Sequence, residues 1–177
     1  MINIKSTKLL FLYRTFLFKF TKFKTDKEEL KNIVNALNKK NKKERYTYIY
    51  EETIEALNKY YKDDFCDFQN NQCIAQRKSG SKKINGCCRF CPIVTDKGCP
   101  SENISCKLIY CKTSIQNFKL LKLWNVKITK CLSPGRQLIL RGNFFITKDE
   151  FIKDLYDGTF IFPFRTIKRE LKRTLKK

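Results

Sequence analysis

The sequence predicts a mainly α protein, with a helical hairpin and C-terminal helices arranged around an irregular cysteine-rich segment. Three observations predict it. Apolar residues recur at helical spacing through residues 25–64 and again in the C-terminal third. Between them, eight of the nine cysteines crowd into residues 66–111, where the helical period disappears. Finally, 42% of the 177 residues are hydrophobic, including 15 Phe and 8 Tyr, which is enough for one core.

In chain order, residues 1–24 interleave Phe and Leu with six basic residues and no acid, and they read as a basic amphipathic extension ahead of the domain. Arg14 breaks the apolar run and no small-residue cleavage site follows, so this is not the pattern of a signal peptide. A single domain is expected over residues 25–177. Thr25 and Glu28 have capping-box spacing, and Leu30, Ile33, Val34 and Leu37 then form one helical stripe. A second helix, from about Glu44 to Lys62, lines up Tyr46, Ile49, Tyr50, Thr53, Leu57 and Tyr61, with the tyrosines expected at the edge of the core. The short polar break between them predicts an antiparallel pair over 25–64.

Residues 65–113 are rich in Asn, Gly, Ser, Pro and Cys, and Lys78-Ser79-Gly80-Ser81-Lys82-Lys83 reads as a solvated basic loop. Residues 114–177 are basic and largely helical. Ser133-Pro134-Gly135 reads as a turn, and 137–146 fits a strand or a short helix equally. Thr147-Lys148-Asp149-Glu150 repeats the capping-box spacing ahead of Phe151, Ile152 and Leu155, with Asp157-Gly158 as a stop. Residues 160–164 read as an extended apolar connector. Ile167, Leu171 and Leu175 then give a last helix with a narrow apolar seam and a basic face.

Histidine is absent, which removes Ser-His-Asp and Cys-His catalysis and every His-ligated metal site. No apolar run approaches the roughly 18 uncharged residues of a spanning helix. Cys66, Cys73, Cys87, Cys88, Cys91, Cys99, Cys106 and Cys111 therefore carry the chemistry, while Cys131 stands apart in apolar surroundings as a small buried hydrophobe. Two residues separate Cys88 from Cys91, a spacing at which two sulfurs turn back onto one ion. Carboxylates nearby are few: Asp67, Asp96 and Glu102. Sulfur-only ligation selects Zn²⁺ or an iron–sulfur cluster, and the spacings leave that choice open. Structural disulfides would need an oxidising compartment and sit poorly with an odd cysteine count. Thiol redox catalysis at Cys88-Arg89-Phe90-Cys91 would need a strand leading into a helix N-terminus, and a Gly/Ser/Lys/Asn loop stands there instead. The expectation is a cytoplasmic metal-binding segment folded around its metal.

Gly86-Cys87-Cys88-Arg89-Phe90-Cys91, with Gly98-Cys99 and the Cys106–Cys111 pair, resembles cysteine-rich proteins of AT-rich Firmicutes over roughly residues 60–115. More distantly it is similar to the zinc- or iron-chelating cysteine-cluster family, in which a Cys-Cys doublet lies close to other cysteines. The resemblance implies metal chelation without an established reaction.

A second reading comes from charge. The chain carries 38 Lys and Arg against 17 Asp and Glu, a formal +21. Residues 112–145 hold seven basic residues and no acid, interleaved with Phe118, Trp124, Phe144 and Phe145. That is the pattern of an RNA- or DNA-binding module on a zinc-stapled scaffold. An enzyme built on an open metal position is the third reading, and no paired carboxylates or nucleophile–base pair supports a named reaction.

Overall fold

The computed structural model describes residues 1–7, 10, 21–60, 69–70, 72, 74–80, 91, 93, 95, 103–108 and 123–175. They are mainly helical, as the periodicity predicted. α1 (Lys31–Asn38) follows a 3₁₀ turn over Glu28–Leu30, and α2 spans Lys42–Tyr60. Short helices α3 (Ile74–Ser79) and α4 (Ile104–Leu108) lie within the stretch expected to be irregular. After two 3₁₀ turns, Leu123–Asn125 and Lys127–Cys131, come α5 (Pro134–Gly142), α6 (Lys148–Asp157) and α7 (Phe162–Thr174).

The helical pair forms as its stripes require. Asn41 caps α2, its Oδ1 accepting from the N–H groups of Lys43 (2.8 Å) and Glu44 (3.3 Å). Tyr46, Ile49, Tyr50, Thr53, Ile54 and Leu57 are buried along α2, so Tyr46 and Tyr50 are core residues rather than core edge. Tyr61 lies outside the described residues. α2 packs on α6, where the Tyr50 and Phe151 rings meet edge to face with centroids 5.2 Å apart. α1 packs on α2 and on the Lys127–Cys131 turn. The core also takes in Ile128, Leu132, Ile139, Leu140 and Leu155, and Cys131 is buried among them as expected.

Several local expectations give way. Thr25 does not cap a helix: its oxygen accepts from the Lys27 N–H (3.2 Å) and its hydroxyl donates to the Ile4 carbonyl (2.8 Å), but Lys27 itself stands at the head of the first turn, without a side-chain cap. The reason is long-range. Strand β1 (Ile2–Asn3) pairs in parallel with β2 (Phe23–Lys24), which brings the two segments together. Ile4, Leu10 and Phe23 are buried in the core, so these residues of the stretch read as an extension belong to the body. Ser133-Pro134-Gly135 is a helix start rather than a turn, with Ser133 as the cap and Pro134 at the first position. The undecided region 137–146 is helical up to Gly142. Residues 162–164, read as extended, open α7, because Pro163 falls in its first turn where no N–H partner is needed. By contrast, Thr147 and Glu150 form the expected capping box of α6, and Gly158 ends the helix at φ +89°.

Among the described residues no helix is long and apolar enough to cross a membrane.

Candidate functional site

Of the eight cysteines expected to bind metal, Cys66, Cys73, Cys87, Cys88, Cys99 and Cys111 lie outside the described residues. Cys91 and Cys106 are described, and both are half-buried. Among the described residues no group of three or more Cys, Asp or Glu gathers at a distance that could hold a metal ion.

Cys106 sits on α4, and α4 is held by buried polar side chains. Asn103, 1% exposed, caps the helix, with its Oδ1 accepting from the Cys106 N–H at 3.0 Å. Its Nδ2 donates to the carbonyls of Asn143 (3.0 Å) and Ile146 (3.2 Å). Fully buried Ser105 donates its hydroxyl to the Leu140 carbonyl (2.7 Å) and accepts from the Asn143 N–H (3.0 Å). At the open end, Lys107 Nζ donates to Asn58 Oδ1 at 2.7 Å. Polar groups buried to this degree are costly unless paired, so these bonds fix how α4 sits on α5.

The Cys106 sulfur accepts a hydrogen bond from the Phe145 N–H at 3.5 Å. Phe145 adopts φ +58°, a left-handed conformation that an aromatic residue avoids and that costs of order 1 kcal/mol or more. The surrounding Asn143 and Ile146 contacts hold it there. Backbone N–H donors of this kind also surround the sulfurs of metal-bound cysteines.

Asn143 then joins this frame to the last helix. Its Nδ2 donates to Asp154 Oδ2 (2.7 Å), and its Oδ1 accepts from Arg169 Nη1 (2.7 Å). Asp154 is 1% exposed and also accepts from Arg165 Nη1 and Arg169 Nη2, each at 2.7 Å. Arg165 pairs further with Asp157. The Arg165 guanidinium is held above its ordinary range, first by the hydrogen bond to Asp154, with burial acting in the opposite sense. Sequence reading missed Asn103, Ser105, Asn143 and Asp154. Only Asp154 left a signal, as a carboxylate between Phe151 and Leu155 on the apolar face of α6.

The basic stretch 112–145 is partly committed within the fold. Lys127 pairs with Glu29, Lys130 donates to Thr7, and Arg136 donates to the Leu155 carbonyl (2.7 Å) while its guanidinium lies over the Tyr46 ring at 5.0 Å. No protein-family model, curated protein or solved structure matches the chain.

Proposed function

We propose that this chain is a thiolate-ligated metal-binding protein that takes Zn²⁺ or an iron–sulfur cluster through cysteines of the 66–111 segment, with the helical body as its frame. The observation that carries the reading is eight thiols within 46 residues of a chain without histidine. The Cys87-Cys88 doublet and its resemblance to cysteine-cluster chelators point the same way. Cys106 adds support, because it stands on a helix locked by Asn103 and Ser105 and its sulfur already receives a backbone donor.

Anaerobic purification followed by measurement of zinc, iron and sulfide tests it. Folded protein is expected to carry roughly one or two ions, or one cluster, per chain. Folded protein with less than about half an equivalent overturns the reading, since metal binding and folding are coupled in such segments. Two cysteines make an internal control. Cys106→Ser lowers metal retention, whereas Cys131→Ser, in the apolar core, leaves the metal content unchanged.

A further inference from the structure

α7 is docked the wrong way round for an amphipathic helix. Arg165 and Arg169 face the body and close on Asp154, while Phe164, Ile167 and Leu171 point away from it at 58–68% exposure. At about 100° per residue these three fall within a 60° arc, on the side opposite the two arginines. Phe160 before the helix and Leu175 after it extend the stripe, each 85% exposed, to a length of roughly 20 Å. Exposed Lys168 and Lys172, one turn apart, border it along one edge. Residues 164–177 carry seven basic side chains against Glu170 alone.

From this arrangement we infer that the outer face of α7 is a docking surface for an anionic lipid bilayer. The body lies flat on the headgroups, the apolar stripe enters the acyl boundary, and Lys168 and Lys172 reach the lipid phosphates. Charge decides among occupants. A second copy would set two basic helices side by side in chains that each already carry +21. Nucleic acid would satisfy the lysines but give the Phe, Ile and Leu side chains nothing apolar to enter. An anionic membrane satisfies both. The inference does not rest on metal binding.

The test is flotation of the full purified chain with phosphatidylcholine vesicles, with and without about 30% phosphatidylglycerol. Flotation is expected with the anionic vesicles and little with the neutral ones. Ile167→Glu with Leu171→Glu lowers it at least roughly tenfold, because the stripe no longer enters hydrocarbon. Lys168→Gln with Lys172→Gln reduces the preference for the anionic vesicles. Equal recovery with both vesicle types overturns the inference, as does unchanged flotation of the Glu variant. So does a dimer that this variant converts to monomer, or stripe-dependent binding to an RNA oligonucleotide in place of vesicles. A separate measurement guards against misfolding of the double variant. With Leu175→Trp, emission corrected for Trp124 shifts to the blue on adding anionic vesicles, and an absent shift also overturns the inference.

Discussion

α2 and α7 are both amphipathic, and the fold places them in opposite orientations. α2 turns Tyr46, Ile49, Tyr50, Ile54 and Leu57 inward and leaves Glu51, Glu55 and Lys59 in water. α7 turns Arg165 and Arg169 inward and leaves Phe164, Ile167 and Leu171 outside. The receiving surface makes the difference. α2 meets apolar partners such as Phe151, whereas α7 meets the carboxylate of Asp154, buried to 1% exposure. A buried carboxylate without cations would be far more costly than an apolar stripe left in water, so the charge sets the orientation. Amphipathicity thus shows that a helix has two faces, and the partner decides which one is inside.

Asp154→Ala breaks the comparison at its cause and carries the largest expected effect. It takes the buried anion from Arg169, leaves Arg165 to Asp157, and leaves Asn143 Nδ2 without the Asp154 acceptor. Removing one side of a buried ion cluster costs about 3–5 kcal/mol, here read by urea unfolding monitored at 222 nm. A loss under about 1 kcal/mol, within the range of an exposed pair, would mean that the carboxylate does not hold α7.

Legibility followed the range of the interactions. The stripes of α1 and α2 and the capping box of α6 are local, and the structure reproduces them. Where a local signal was ambiguous, position decided. Ser-Pro-Gly suits a turn or a helix start, and here it starts α5. Thr25 had the right neighbours for a cap, yet its hydroxyl bonds to Ile4, 21 residues away. The clamp on Cys106 depends on partners about 40 residues distant, which no spacing rule reveals. For the last helix the seam of Ile167, Leu171 and Leu175 was readable, while its outward orientation required knowing that Asp154 waits beneath. The candidate metal site was legible as composition only. Six of its eight cysteines lie outside the described residues.

Leucine truncation on the two helices sharpens the comparison. Leu57 is fully buried on α2, and Leu57→Ala should cost about 3 kcal/mol, through lost transfer energy and the cavity left behind. Leu171, on α7, is 59% exposed, and Leu171→Ala should change stability by no more than about 0.5 kcal/mol in either direction. Alanine and leucine are both good helix formers, so the helix itself is little affected. The same chemical deletion therefore separates a side chain that holds the fold from one the fold leaves available to a partner. A cost above about 1 kcal/mol at Leu171, measured on the isolated chain by the same unfolding curve, would show that the stripe is covered within the protein, and the two helices would then differ in degree rather than in kind.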